Sequence, residues 1–137
     1  MFRAMPSPNE AVLDAMCRSF EPWVRERLSD GRYLGWIAEE GSRAVASAGM
    51  ILLDWPPHAL HPTSDKRGYI LNVFVEPEFR KRGIAGHLLE RCLAEARQRH
   101  IRVVTLHAAE AGRRVYEKLG FRPSNEMMFV EPEATDR

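Results

Sequence analysis

Cysteine is scarce in this sequence. Only Cys17 and Cys92 occur among 137 residues, which is too few for a disulfide framework and at no spacing typical of a metal site. No apolar run approaches the ~18 residues of a membrane-spanning helix, and the first residues, Met1 to Pro6, do not have the pattern of a signal peptide. These absences predict a protein of the reducing cytoplasm with no membrane partner.

A large excess of one charge sign is also missing. The chain has 20 basic and 19 acidic side chains, so its net charge is only +1, which argues against a nucleic-acid partner. The charge is unevenly distributed, because residues 80–122 contain eleven Lys and Arg but only four Glu. Such a local excess of positive charge indicates contact with an anion, although solvated helix faces would produce the same pattern.

Hydrophobic periodicity predicts one α/β domain over residues 1–137. Apolar residues make up 45% of the chain, which is enough for a core without disulfides or metals. The predicted helices lie at 10–20, 21–29, 83–99 and 112–119, and the predicted strands at 32–39, 44–55, 69–75, 101–107 and 125–130, with a further short strand at 2–5. The strands on either side of the long helix form a right-handed parallel unit, and the first two long strands form a hairpin. The expected fold is a mixed central sheet of five to seven strands with helices on both faces.

A turn rich in glycine and basic residues joins the strand 69–75 to the long helix. Its sequence is Arg80-Lys81-Arg82-Gly83-Ile84-Ala85-Gly86. The first N–H groups of a helix lack internal partners and carry about half a positive charge, and glycine lets a ligand approach the backbone closely. This order of strand, glycine turn and helix favours a phosphate-binding loop, although neither the Rossmann nor the P-loop pattern is present.

This turn and a second segment resemble the GNAT N-acetyltransferase superfamily. Arg80 to Ala85 resemble its acetyl-CoA pyrophosphate loop, R/Q-x-x-G-x-G/A, and Val115-Tyr116-Glu117-Lys118-Leu119-Gly120-Phe121 resembles its L-Y-E-K-L-G-F segment. The resemblance is strong over residues 69–123 and extends over 32–130 in the order of elements. It implies a GNAT-like fold and acetyl-CoA as cosubstrate, with no metal.

The resemblance also implies roles for individual residues. The backbone of Val73, Phe74 and Val75 would pair with the pantetheine arm like a further strand, and an N–H near Phe74 or Val75 would polarise the thioester carbonyl. The N–H groups from Lys81 to Gly86 would wrap the pyrophosphate. Tyr116 would protonate the departing thiolate.

Some of these residues have plainer interpretations. Tyr116 could be a tyrosine that only packs in the core, and Arg80 could be a surface cation. Many relatives have an Asn that bonds the pantetheine arm where this chain has Ala109, and Gly112 stands where Ala is common. His58 and its neighbour His61 lie among prolines with no third ligand evident, so a metal site is not expected.

The catalytic base is left open. Some relatives place Glu or Asp on the strand matching 69–75, where this chain has Asn72, which can order a water but cannot take a proton. The candidates with suitable chemistry are His107, at the end of the neighbouring strand, and Glu126, at the start of the last one; histidine titrates near neutral pH. A water chain to bulk solvent is an equal alternative.

The sequence therefore predicts an N-acetyltransferase. It would move an acetyl group from acetyl-CoA to an amine acceptor, a small molecule or a peptide, by direct attack in a ternary complex. The segment 54–67 and the strand near Glu126 would shape the acceptor pocket, and the family's habit of dimerising suggests a homodimer. The alternative is a non-catalytic acyl-CoA-binding regulatory module on the same fold, and a weaker third is an interaction domain without a cofactor.

Overall fold

A computed structural model describes residues 9–132. The helices are α1 (Glu10–Asp30), α2 (Ile84–Gln98) and α3 (Arg113–Lys118), the strands are β1 (Tyr33–Glu40), β2 (Arg43–Asp54), β3 (Lys66–Val75) and β4 (Val104–Leu106), and two 3₁₀ turns lie at Pro77–Phe79 and Glu110–Gly112. The strand predicted at 2–5 lies outside the described residues.

The sheet is mixed, as predicted. Its strand order is β1-β2-β3-β4; the first three strands are antiparallel, and β3 and β4 are parallel. Within residues 9–132 the sheet has four strands, so the prediction of five to seven is wrong there. The parallel pair flanks α2, as the predicted unit requires.

The strand predicted at 125–130 does not form. Met127, Met128, Phe129 and Val130 are all exposed, with Met127 at 97%. Their composition is typical of a strand, but a strand also needs a neighbour to pair its N–H and C=O groups. No strand within residues 9–132 supplies one to this segment.

The two short helices predicted around Pro22 are one continuous helix, α1. Asn9 caps it as predicted, because its Oδ1 accepts a hydrogen bond from the Val12 N–H at 2.8 Å. Gly31 ends it in the left-handed region, with φ 83°. Pro22 removes one helical hydrogen bond, but α1 has no buried residue, so water can satisfy the carbonyl that this proline leaves unpaired.

Helices lie on both faces of the sheet. Neighbouring side chains of a strand point to opposite faces. Tyr33 and Leu34, the first two residues of β1, therefore show what packs on each face. Tyr33 meets Trp23 of α1 edge-on at 6.1 Å between ring centroids. Leu34 packs against the core formed with α2, whose fully buried members include Met50 and Leu89.

Tyr33 lies flat across β2 at Gly49. A Cβ built on Gly49 would overlap the Tyr33 hydroxyl and ring, whereas one on Gly35, its partner on β1, would lie 3.8 Å from that ring. Tyr33 is only 7% exposed. Gly49 is therefore the gap in β2 that lets this tyrosine reach β3.

We expect Gly49→Ala to lower the free energy of unfolding by about 1–3 kcal/mol, because the buried ring must move to make room. Gly35→Ala is the matched control on the paired strand and should change it by less than about 0.5 kcal/mol. Urea denaturation of both variants measures the difference. Equal stabilities would show that Tyr33 does not occupy this position.

Candidate functional site

The parallel strands β3 and β4 separate after a short stretch. They pair only from Gly68 to Ile70 on β3 and from Val104 to Leu106 on β4, while β3 stays paired with β2 as far as Val75. In the part of the chain that the structure describes, the second half of β3 therefore has an open edge on the β4 side. An open edge offers backbone N–H and C=O groups to an extended ligand.

A β-bulge in β3 decides which groups face that edge. Ser47 of β2 pairs with Phe74, and Gly49 pairs with Leu71. On β2 one residue lies between Ser47 and Gly49, whereas on β3 two residues, Asn72 and Val73, lie opposite it. Asn72 has φ 58°, in the left-handed region that non-glycine residues rarely adopt. The bulge is thus an inserted residue in an otherwise regular ladder.

Hydrogen bonds on either side of the bulge show the change in orientation. Before it, the Gly68 N–H donates to Val103, on the β4 side; after it, the Glu76 N–H donates to Val45, on the β2 side. Backbone groups alternate along a strand, so Val75 and, two residues earlier, Val73 face the open edge. Phe74, which lies between them, faces β2, as Glu76 does two residues later.

The turn after β3 places backbone N–H groups at the same end of the sheet. Phe79 is buried and anchors the turn, and Lys81 and Gly83 both have positive φ, at 62° and 81°. Gly83 is the N-cap of α2, and the first turn of this helix contains no acidic residue. The free N–H groups of the first helical turn and its positive dipole end make this turn suited to an anion.

The basic side chains of the turn are held in different ways. The Arg80 Nε donates to the Val75 carbonyl at 2.9 Å, and the Arg82 guanidinium lies 4.9 Å from the Phe79 ring centroid. Among the residues that the structure describes, no salt bridge involves Arg80, Lys81 or Arg82. Arg80 therefore braces the turn against the open edge.

Carboxylates beside this turn are neutralised from β2. Arg43 contacts Glu78 at 3.1 Å and Glu76 at 3.9 Å. The hydrogen bond that Arg43 donates to Glu78, followed by the charge of that carboxylate, raises the pKa of the arginine above its usual value. The negative charges of Glu76 and Glu78 therefore reduce the positive potential of residues 80–82 less than the sequence suggests.

Tyr116 lies on α3 against Gly112. A Cβ on Gly112 would lie 3.0 Å from the tyrosine ring and hydroxyl, and Phe121 meets the ring edge-on at 6.1 Å. Partial burial raises the pKa of the Tyr116 phenol, so its hydroxyl stays protonated at neutral pH. Tyr116 also lines a cavity of about 180 Å³ between β4, α3 and residues 121–124.

Asn72, which would order a water, and the two candidates for the catalytic base lie in different places. Asn72 is exposed at the bulge, and its Nδ2 donates to the Tyr33 hydroxyl at 2.9 Å. His107 is exposed directly after β4. Glu126 is exposed in the segment that forms no strand, with its N–H donating to Ser124 Oγ at 3.4 Å.

The segment expected to line an acceptor pocket is a structured connection between β2 and β3. His61 is buried; its Nδ1 pairs with the Ser64 carbonyl at 2.9 Å and its Nε2 accepts from Arg67 at 2.9 Å. The Arg67 guanidinium lies 4.4 Å from the Trp55 ring centroid. Both nitrogens of His61 are engaged, and across the described residues no group of three or more His, Cys, Asp or Glu could hold a metal ion.

Sequence reasoning missed Tyr33. It lies at the start of β1, 39 residues before Asn72, and no local pattern links the two. The available signal was Gly49, since a glycine inside a strand often marks the close approach of another group.

Comparison with known proteins agrees with this geometry. The model of the acetyltransferase (GNAT) family matches residues 3–121. A GCN5-related N-acetyltransferase from Ralstonia eutropha JMP134 is 43% identical, with 93% of this chain and 82% of that chain covered and a TM-score of 0.84. A predicted acetyltransferase from Clostridium acetobutylicum, solved with acetyl-CoA, is 32% identical, with coverage of 96% and 81% and a TM-score of 0.78.

A similar curated protein is more distant. Human N-acetyltransferase 8 is 25% identical over 131 residues, which cover 93% of this chain and 56% of that protein. The chain thus spans about half the length of this relative. None of the helices between residues 9 and 132 is long and apolar enough to cross a membrane.

Proposed function

This chain belongs to the acetyltransferase (GNAT) family, and on that premise we propose that it transfers an acetyl group from acetyl-CoA to an amine by direct attack in a ternary complex. The observation that carries the proposal is the open edge of β3 leading directly into the anion-binding turn. An extended arm with a pyrophosphate at one end fits that pairing of features. The acceptor is a small-molecule or peptide amine.

The backbone of β3 and the turn bind the cosubstrate in this proposal. Val73 and Val75 pair with the pantetheine arm, while the N–H groups from Lys81 to Gly86 hold the pyrophosphate. For the carbonyl of Val75 to take part, Arg80 must release it, since the two are hydrogen-bonded in this structure. Arg80 and Arg82 then add positive charge to the site.

The chemical step needs a place for negative charge and a proton for the leaving group. The amine nitrogen attacks the thioester carbonyl, and an N–H at the open edge of β3, that of Val73 or Val75, stabilises the resulting oxyanion. Collapse breaks the C–S bond and expels the thiolate, which Tyr116 protonates. The nitrogen, which becomes positively charged on attack, loses its extra proton, and an equivalent proton from solvent restores the phenol. The phenol carries its proton at neutral pH, as a general acid must, although burial, which raises the pKa of Tyr116, makes it a weaker acid than a free tyrosine.

The acceptor must lose a proton before it attacks. For a lysine-like amine with a pKa near 10.4, forming the neutral amine at pH 7 costs roughly 4.6 kcal/mol. His107 and Glu126 are the side chains proposed to take that proton, with a water ordered by Asn72 as the alternative.

We also propose that the whole chain, 1–137, is one domain of a cytoplasmic protein. We propose further that it forms a homodimer, which light scattering can test.

We expect Gly83→Val to weaken acetyl-CoA binding more than tenfold, or about 1.4 kcal/mol, because the side chain enters the path of the pyrophosphate. Gly31→Val is the matched control, since Gly31, which ends α1, has nearly the same backbone angles (φ 83°, ψ 6° against φ 81°, ψ 7°). Both variants should lose similar stability, and only the first should lose affinity in calorimetry. Unchanged affinity in folded Gly83→Val protein would overturn the assignment of the turn.

We expect Tyr116→Phe to keep acetyl-CoA affinity and to lower kcat by roughly 10²–10⁴-fold, as is typical when a general acid is lost. Phenylalanine preserves the packing against Gly112 and Phe121, so thermal stability serves as the control for folding. Wild-type turnover, where chemistry limits the rate, would mean that Tyr116 only packs.

We expect His107→Gln or Glu126→Gln to depress the acidic limb of the pH profile of kcat/KM while leaving acetyl-CoA affinity unchanged. A base must be deprotonated to act, so its removal abolishes the rise in rate that accompanies its titration. Each glutamine keeps a polar side chain of similar size. If both variants retain the wild-type profile, the water at Asn72 becomes the better account.

A non-catalytic acyl-CoA-binding module is the rival outcome. An acetyl-CoA consumption assay against an amine library separates the two. Tight acetyl-CoA binding without turnover on any amine supports the rival, whereas turnover that depends on Tyr116 supports the enzyme. If CoA did not raise the melting temperature of the protein, the third alternative, an interaction domain without a cofactor, would be supported.

A further inference from the structure

We propose that Tyr33 is a positioning residue for acetyl transfer: through its hydrogen bond to Asn72 it holds the bulge of β3 in the shape that presents N–H groups to the thioester. The inference rests on the proposed function, because it concerns the same open edge. It adds a residue from β1 that no pattern in the sequence assigns to the site.

The hydrogen bond joins two strands that are not neighbours. Tyr33 starts β1, Asn72 lies in β3, and β2 runs between them. The Asn72 Nδ2 nevertheless donates to the Tyr33 hydroxyl at 2.9 Å. This reach is possible only because Gly49 leaves β2 without a side chain under the ring.

Tyr33 is itself held in place. It is 7% exposed, and Trp23 of α1 packs edge-on against its ring. A buried, packed ring gives its hydroxyl a defined position. The exposed amide of Asn72 is thereby anchored to the interior of the protein on one side.

The bulge needs such an anchor. The left-handed region is unfavourable for a residue with a side chain, though less so for asparagine than for most, and Asn72 adopts it with φ 58°. Two contacts oppose that cost: the bond to Tyr33, and one from the Ser47 hydroxyl to the Asn72 carbonyl at 3.4 Å.

The bulge has a direct chemical consequence. Before it, Gly68 donates toward β4, so in a regular strand the same edge would receive residues 70, 72 and 74. Because one residue is inserted, Val73 and Val75 face that edge instead, and Phe74 turns to β2. A bulge that relaxed would therefore offer the thioester a different or a misaimed N–H group.

The test compares Tyr33→Phe and Asn72→Gly, singly and together. Phenylalanine keeps the ring over Gly49 but loses the hydroxyl, and glycine keeps the left-handed backbone but loses the amide. Tyr69→Phe is the matched control, because it removes a hydroxyl from β3 itself and leaves the hydrogen bonds from Asn72 to Tyr33 and from Ser47 to Asn72 in place.

The decisive readout is the infrared carbonyl band of acetyl-CoA bound to each variant. A hydrogen bond from an N–H lowers the stretching frequency of the thioester carbonyl, and packing alone does not. We expect wild type and Tyr69→Phe to show the lowered band, and Tyr33→Phe and Asn72→Gly to lose most of it. We expect kcat to fall at least about tenfold, and by more than the affinity for CoA, which has no carbonyl at that position and loses only the pairing of its pantetheine arm with Val73 and Val75.

The double variant should be no worse than the worse single one, because both changes break one hydrogen bond. Additive losses, or a band in Tyr33→Phe equal to that of wild type, would overturn the role of Tyr33. Failure of the proposed function looks different: wild type would then bind no acetyl-CoA or show no turnover with any amine, which overturns both. If Asn72→Gly does not fold, Tyr33→Phe against Tyr69→Phe still decides.

Discussion

The residue inserted at Asn72 controls which backbone groups β3 turns to its open edge. Strand geometry permits only two orientations, and a single extra residue exchanges them. The separation of β3 from β4 after Ile70 would leave an open edge in any case. The bulge determines that Val73 and Val75, rather than Phe74, are presented there, and it depends on a side-chain contact to hold an unfavourable backbone angle.

The turn proposed to bind the pyrophosphate, residues 80–86, is shaped by local constraints and depends less on distant parts of the chain. Gly83 supplies the positive φ that starts α2, and Lys81 adopts a second one two residues earlier. The free N–H groups of the helix lie beyond them, without an acidic side chain in the first turn. The long-range contribution is electrostatic: Arg43, 35 residues before Glu78, pairs with the carboxylates that would otherwise weaken the positive potential.

The sequence departs from the family pattern at two positions, Gly112 and Ala109, and the two departures differ in what surrounds them. Gly112, where Ala is common, lies so close to the Tyr116 ring that a methyl group would crowd it. Its replacement of Ala is therefore matched to the position of this tyrosine. Ala109 has no polar side chain to offer, and its carbonyl accepts from the Gly112 N–H in the turn that leads into α3. In the proposed complex, position 109 therefore offers the pantetheine arm no side-chain contact.

The sequence by itself determined the local features: the cap at Asn9, the apolar face of α2 with Leu89 and Cys92 buried, the parallel unit, and the glycine turn. The cap, the helix face and the turn each depend on residues only a few positions apart, where propensity and periodicity act directly. The parallel unit pairs distant residues, such as Gly68 with Val104, but follows from the general rule for two strands that flank a helix. Continuation of α1 through Pro22 and the missing strand at 125–130 depended on surroundings, since water can replace a lost helical bond and a strand cannot exist without a neighbour. The contact of Tyr33 with Asn72 was decided by tertiary structure alone, because it joins residues 39 apart across a strand whose glycine leaves room for the ring.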